Sequence, residues 1–314
     1  MKGGRLLWII ITIMLIIIVF YLIINNFFNK VVKRRTYLVE KLYENQLDKG
    51  LIDKENYEAL DKESIELVSK DGLKLKGIYI EAPKKTNKTV ILVHGISVAY
   101  INSIKYMDIF YKRGWNILTF DHRRHGSSEG KYSTYGYYEK EDLDLWVNWA
   151  IKRNGRDSII GLHGESMGAA TVLQYASISK HVSFIIADCG YSNLKELLQY
   201  RLKEDTHWIF MPVYYLASFK ALIRARFKFG DVSPIDDIKD SPIPTLFIHG
   251  SEDTFVPCYM SQKMYEAKKE NKKLYITKGA VHAASIEVDR VAYENAVNEF
   301  LDEFFRRKDV INGK

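Results

Sequence analysis

Acidic residues are missing from the first 35 positions of this chain, and cysteine is nearly missing from all of it. The two cysteines, Cys189 and Cys258, exclude a disulfide framework. Their spacing fits no zinc motif, so both read as buried free thiols. Internal repeats and low-complexity tracts are absent as well. The body also lacks a basic excess. The chain carries 46 Lys and Arg against 39 Asp and Glu, but Lys2, Arg5, Lys30, Lys33, Arg34 and Arg35 all precede position 36. That leaves 40 basic and 39 acidic residues for the remainder, so the basic stripe of a nucleic-acid-binding protein is excluded. With 13% aromatic and 27% charged residues, the composition also excludes disorder and supplies ample core material. A body of about 280 residues fits one large α/β domain.

What is present first is a run without charge. Residues 6–24 contain Thr12 as the one clearly polar side chain. As a helix the run rises about 28 Å, close to the hydrocarbon thickness of a bilayer. Trp8 and Tyr21 stand near its two ends, where interfacial aromatics belong. A buried core helix keeps a polar side, and this run is apolar all round. A cleaved secretory signal fits the charged start, Lys2 and Arg5. It does not fit the length of the run, or the Asn25-Asn26-Phe27-Phe28-Asn29-Lys30 that follows in place of small residues. Residues 1–35 are therefore expected to be an uncleaved, single-pass anchor in the lipid bilayer of the cell membrane. The basic residues on the two flanks nearly balance under the positive-inside rule. The short charged start resembles an export signal and places the catalytic body outside the cytoplasm.

Residues 36–62 read as a juxtamembrane helical linker, with Leu38, Leu42, Tyr43 and Leu47 on one face and Gly50 as a stop. Residues 63–314 form the main domain. Alternating apolar residues on both sides of Lys70-Asp71-Gly72 predict a hairpin. Short apolar runs then follow at 89–93, 116–120, 158–162, 182–187, 245–248 and 273–276. The first five lead into His94-Gly95, Asp121, His163-Gly164, Asp188 and His249-Gly250 respectively. Helical patterns at 104–111, 139–153, 167–177, 259–268 and 291–305 lie between or after them. This alternation predicts an α/β fold, a mainly parallel sheet flanked by helices, with its site at the carboxyl ends of the strands. One stretch, about 190–240, has no strand. It holds Tyr200, Trp208, Phe210, Tyr214, Tyr215 and Phe219 and reads as a helical lid.

Gly164-Glu165-Ser166-Met167-Gly168 is a GxSxG pentapeptide between a predicted strand and a predicted helix. That setting makes Ser166 a nucleophile on a strained turn. A serine hydroxyl needs a base, held by an acid, in the order Ser, acid, His. His282, in the loop after the last strand, is the expected base. His181 sits at the wrong strand end, His207 in the lid, and His249 under its own loop. Asp253, just past a strand end, is the expected acid, with Asp188 as the rival position and Glu252 pointing the other way. The backbone N–H groups of Ile96 and Met167 are expected to form the oxyanion hole. His94 reads as a residue that shapes its own loop.

Together these residues resemble the α/β-hydrolase superfamily. Within it they resemble membrane-bound cell-surface hydrolases of low-GC Gram-positive bacteria, near the serine aminopeptidase (S33-like) and monoacylglycerol-lipase-like groups. The likeness covers about residues 60–308. It rests on the stretch from Lys70 to Gly77, His94-Gly95, Asp121 through Ser128, His163 through Thr171, Ser233-Pro234-Ile235, His249 through Pro257 and Gly279 through His282. One departure stands out: many relatives have Gly where this chain has Arg124.

The expected chemistry is a two-step acyl transfer on a carboxylic ester or thioester, with no metal or cofactor. A halide-removing or epoxide-opening relative would need Asp at position 166. The substrate is expected to be a small or lipid-like ester with an apolar acyl group. An aminopeptidase is the alternative, with Glu196, Glu204 or Asp205 holding a substrate ammonium. A catalytically dead, membrane-tethered binding protein is the second alternative.

Overall fold

The computed structural model describes residues 2–34, 36–206 and 211–311. His207, Trp208, Phe210 and Arg35 lie outside the described residues. The chain begins with one long helix, α1 (Lys2–Val32). Its apolar run is solvent-facing along its whole length, from Leu6 at 60% to Ile23 at 36% exposure, so the body does not cover it. Two short helices follow, α2 (Val39–Asp48) and α3 (Lys54–Ala59), separated at Gly50, whose φ of +65° a glycine adopts freely. They do not hang free. Leu42, Ile52 and Tyr57 are buried in the same apolar cluster as Tyr106 and Trp115.

The hairpin forms as its Asp-Gly signal predicts. β1 (Glu63–Val68) and β2 (Lys74–Ile80) pair antiparallel with Leu67 opposite Leu75, and Gly72 takes a φ of +83° in the turn. Six strands then pair in parallel: β3 (Lys88–Val93), β4 (Asn116–Phe120), β5 (Ile159–Glu165), β6 (Val182–Asp188), β7 (Thr245–Gly250) and β8 (Lys272–Thr277). The eight-stranded order is β1-β2-β4-β3-β5-β6-β7-β8, with β2 antiparallel to β4. Between the strands lie α4 (Met107–Tyr111), α5 (Glu139–Asn154), α6 (Met167–Tyr175), the lid helices α7 (Leu194–Thr206) and α8 (Met211–Ala225), α9 (Pro234–Ile238) and α10 (Tyr259–Ala267). α11 (Ser285–Val288) and α12 (Arg290–Ile311) close the chain.

The strand period of two sorts the core into two layers. Val90 and Leu92 of β3 face one side with Trp115, Phe184 and Tyr293. Ile91 and Val93 face the other with Trp146, Leu173 and Phe247. A third cluster joins the lid, through Leu197, Tyr214 and Ala221, to Met167 and to the end of α1 at Phe28, Val31 and Val32. Two details differ from the sequence reading. Residues 100–106 form a 3-10 helix that leads into the short α4. β5 runs on through His163 and Gly164 to Glu165, because Glu165 still pairs with Asp188 of its neighbour.

Candidate active site

Ser166 sits where β5 turns into α6, with φ 55° and ψ −113°. A non-glycine residue held there costs about 1–3 kcal/mol, and the tight packing around the turn keeps it in place. A Cβ on Gly164 would come within 2.4 Å of the Gly168 carbonyl oxygen, and one on Gly168 within 2.1 Å of that of Val93. Only glycine lets these backbones approach so closely. The turn lifts the hydroxyl towards the loop after β8, where Ser166 Oγ lies 2.9 Å from His282 Nε2. His282 Nδ1 lies 2.6 Å from Asp253 Oδ2. For Nε2 to accept from the serine, Nδ1 must carry the proton and donate it to Asp253.

Asp253 is held on its other side too. Its Oδ1 accepts from the N–H groups of Phe255 at 2.9 Å and Val256 at 2.8 Å. Burial works against the charge of this carboxylate. Hydrogen bonds from His249 and His282 outweigh it and bring its pKa down to about 2. His249 is fully buried, and its Nε2 lies 2.8 Å from the Val256 carbonyl and 3.1 Å from Asp253 Oδ2. Its Nδ1 accepts from Ser261 Oγ at 2.7 Å. The sequence reading placed His249 under its own loop, and the structure adds that it helps to hold Asp253. The four-residue spacing from His249 to Asp253 across a strand end was the available signal.

The rival positions lie elsewhere. Asp188 is buried beside Tyr106 and Ser285, Glu252 is exposed, and His181 is exposed at the start of β6. Burial lowers the His94 pKa to about 3, so this ring is neutral; it accepts from the His122 N–H at 3.0 Å and shapes its own loop. Met167 is the first residue of α6, where a helix leaves N–H groups without internal partners. Ile96 lines the same cavity as Ser166 and Met167.

The alpha/beta hydrolase fold family matches residues 88–222. The chain is 37% identical over 273 residues to the uncharacterized protein YqkD of Bacillus subtilis, covering 86% of this chain and 88% of YqkD. The chain belongs to the α/β-hydrolase fold family. The Pyrococcus furiosus esterase Pf2001 superposes with a TM-score of 0.64 at 28% identity, over 80% of this chain and 95% of that one. Acylaminoacyl peptidase of Pyrococcus horikoshii shares the fold at 20% identity, with a TM-score of 0.60, over 79% of this chain and 43% of that one.

In this α/β-hydrolase the serine opens into a cavity of about 600 Å³. Leu197, Leu198 and Leu202 of α7, together with Phe255, give it an apolar wall. The lid aromatics Tyr200, Tyr214, Tyr215 and Phe219 do not line it; Tyr214 packs inside the lid, while Tyr215 and Phe219 face outwards. Cys189 Sγ lies within 4.8 Å of ligand atoms of Asp253 and His282. The two partners already bond each other, and burial pushes the thiol well above its ordinary range, so the trio makes a poor metal ligand set.

Sequence reasoning missed a buried polar network beneath Ser166. Glu165 Oε2 pairs with Lys105 Nζ at 2.6 Å and accepts from Tyr106 Oη at 2.6 Å; Asn102 Nδ2 reaches Oε1 at 3.0 Å. Lys105 also donates to the carbonyl of Ala283, the residue after His282, at 3.2 Å. The departure at Arg124 proves structural. Arg124 adopts φ 66°, the conformation a glycine would favour, and its Nη2 donates to the Lys33 carbonyl at 3.0 Å.

Proposed function

We propose that this α/β-hydrolase is a membrane-anchored serine hydrolase that cleaves carboxylic ester or thioester bonds. The hydrogen-bonded chain from Ser166 through His282 to Asp253, opening on an apolar cavity, carries the reading. Ser166 attacks the carbonyl carbon and passes its proton to His282, while the Ile96 and Met167 N–H groups receive the oxyanion. His282 then protonates the leaving alkoxide or thiolate. Water, deprotonated by His282, releases the acyl group from Ser166. Asp253 holds the ring in the needed tautomer and stabilises the imidazolium. The similarity to the Pyrococcus furiosus esterase supports ester chemistry.

The aminopeptidase alternative needs an acid beside the serine. None lines the cavity among the described residues. Glu196 pairs with Lys263 at 2.9 Å, Glu204 is exposed, and the Asp205 side chain lies outside the described residues. The dead-scaffold alternative is disfavoured by the hydrogen-bonded geometry of the three residues.

The anchor reading is supported by α1, which is long and apolar enough to cross a bilayer, and by its far end. Phe28, Val31 and Val32 are buried in the body, so cleavage near them would remove part of the fold. We place the body on the outer side of the cell membrane; digestion of intact cells with an external protease checks that placement. For the chemistry, the full chain is incubated with a fluorophosphonate probe beside Ser166→Ala. Labelling of the wild type alone is expected, and an unlabelled wild type rejects the serine-hydrolase reading. Faster turnover of aminoacyl amides than of esters rejects the esterase reading.

A further inference from the structure

The end of α1 is a wall of the serine's cavity. Asn26, Phe27, Lys30, Val31, Lys33 and Arg34 line it opposite the leucines of α7. The backbone there is tied to the body. Val32 O accepts from the Ser133 N–H at 2.9 Å, and Val31 O from Tyr135 Oη at 3.1 Å. Phe27 stands four residues beyond Ile23, a rise of about 6 Å along the helix. The cavity wall therefore begins about one helical turn from the end of the apolar run.

The lid helix α8 lies at the same level. Lys220 Nζ donates to Asn25 Oδ1 at 2.7 Å and sits 5.0 Å over the ring of Tyr21, a residue inside the apolar run. The inward face of α8 buries Val213, Tyr214, Ala217 and Ala221. Its outward face presents Tyr215, Leu216, Phe219 and Ile223 at 56, 42, 60 and 55% exposure. The four-residue spacing of Tyr215, Phe219 and Ile223 stacks them in one stripe. An apolar stripe on a helix held beside the last turns of a membrane span faces the bilayer interface.

Charge defines the ligand further. Lys30, Lys33 and Arg34 stand around the cavity, with no acid among the described lining residues. Arg34 and Arg201 lie 5.3 and 5.0 Å from the Phe255 ring centre. Three cations on one wall of an apolar cavity favour an anionic head on an apolar chain.

We infer that the substrate is an acyl ester of an anionic lipid, taken directly from the bilayer that α1 spans. α8 lies in the interface, the acyl chain enters the cavity between α1 and α7, and the basic end of α1 receives the head group. Hydrolysis breaks the acyl C–O bond. The Ser166 proton reaches the lyso-lipid oxygen through His282 as that bond breaks; water then supplies the hydroxyl of the released acid, and its other proton returns through His282 to Ser166. This inference rests on the serine-hydrolase reading.

The test uses the full chain reconstituted in phosphatidylcholine vesicles, with three measured rates. These are hydrolysis of a short soluble ester, of vesicle phosphatidylglycerol and of vesicle phosphatidylcholine. At about 1 kcal/mol per basic residue near the head group, phosphatidylglycerol is expected to react at least about fivefold faster than phosphatidylcholine. Lys30→Gln with Lys33→Gln should bring that preference close to unity. Phe219→Asp with Ile223→Asp removes two apolar side chains from the interface and should lower the ratio of vesicle to soluble turnover about tenfold or more. Fluorophosphonate labelling reports whether each variant still holds a formed site. Equal rates on the two phospholipids overturn the anionic head group. A vesicle-to-soluble ratio unmoved by the α8 substitutions overturns uptake from the bilayer. Wild type that is labelled and cleaves the soluble ester but neither phospholipid overturns this inference alone. Absence of labelling overturns the serine-hydrolase reading and this inference with it.

Discussion

Replacing Lys105 by Met removes a buried positive charge that faces two buried acids beneath Ser166. The Lys105 side chain is 2% exposed and that of Glu165 5%, at a separation of 2.6 Å. Asp188 is fully buried in the same network; burial, and then the charge of Glu165, push its pKa up to about 6 despite the pull of Lys105. Breaking a buried ion pair by removing one partner costs about 3–5 kcal/mol. In a domain of this size each kcal/mol lowers the unfolding midpoint by about 2–4 °C, so Lys105→Met should lose about 6–20 °C near neutral pH. Met matches the length of the Lys stem, so little of this loss is packing.

The pH dependence separates charge from packing. In the wild type the folded pKa of Asp188, about 6, lies above its unfolded value of 3.8, so protonation favours the folded state. That contribution is full below the unfolded pKa and is lost as the pH rises through about 6. Without Lys105 the network binds its proton more tightly still. The deficit of the variant should therefore be large at pH 8 and shrink on going to pH 5. The assay is thermal unfolding of the detergent-solubilised full chain, followed by near-UV circular dichroism at both pH values. Lys105→Met with Glu165→Gln should lose less than the single change, because the stranded charge is then gone. A deficit equal at pH 5 and pH 8 would refute the reasoning, since lost packing has no such dependence.

Asp253→Asn should lower kcat by about 10⁴-fold, read with any ester the wild type turns over, because the His282 ring loses its fixed tautomer. The same change should flatten the loss of stability in acid: the folded Asp253 pKa of about 2 lies below the unfolded value, so its contribution is present above pH 4 and lost towards pH 2. His249→Phe removes a hydrogen bond to that carboxylate and should lower kcat about tenfold, the worth of one charge-assisted bond. Arg124→Gly should be more stable than Arg124→Ala by about 1 kcal/mol in urea unfolding, since both lose the bond to Lys33 but only Gly adopts φ 66° without strain. Equal stabilities would show that this turn stores no strain.

The parallel sheet was legible because each strand is a short, nearly continuous apolar run, a pattern that arises when both faces are covered. The three residues of the hydrogen-bonded chain were legible for a related reason. Ser166, Asp253 and His282 each follow a strand at its carboxyl end, so their order and their turns constrain where they meet. Lys105, Glu165 and Tyr106 were not legible. Their side chains pair across 60 residues of sequence and carry no local periodicity, and a lysine in a helical pattern reads as surface. The end of α1 was illegible for another reason. Residues 25–34 mix Asn, Lys and Arg with Phe27, Phe28, Val31 and Val32, which after an apolar run reads as the flank of a membrane span, whereas the burial of Phe28, Val31 and Val32 comes from lid and loop residues distant in sequence.

That second role changes the weight of the flanking charges. Lys30, Lys33 and Arg34 stand on the far side of the apolar run, where the positive-inside rule counts them as votes for a cytoplasmic body. The structure gives two of them local partners: Lys33 lies 5.6 Å over the Tyr132 ring and Arg34 5.3 Å over the Phe255 ring. All three border the cavity that holds Ser166. Residues placed by the needs of a site are poor witnesses to topology. Without them, Lys2 and Arg5 ahead of the run face only Arg35 beyond it. That balance is the one expected of the proposed outward-facing body. Lys30→Gln with Lys33→Gln should accordingly leave protease accessibility in intact cells as it is in the wild type, while charge reversal at Lys2 and Arg5 should disturb it.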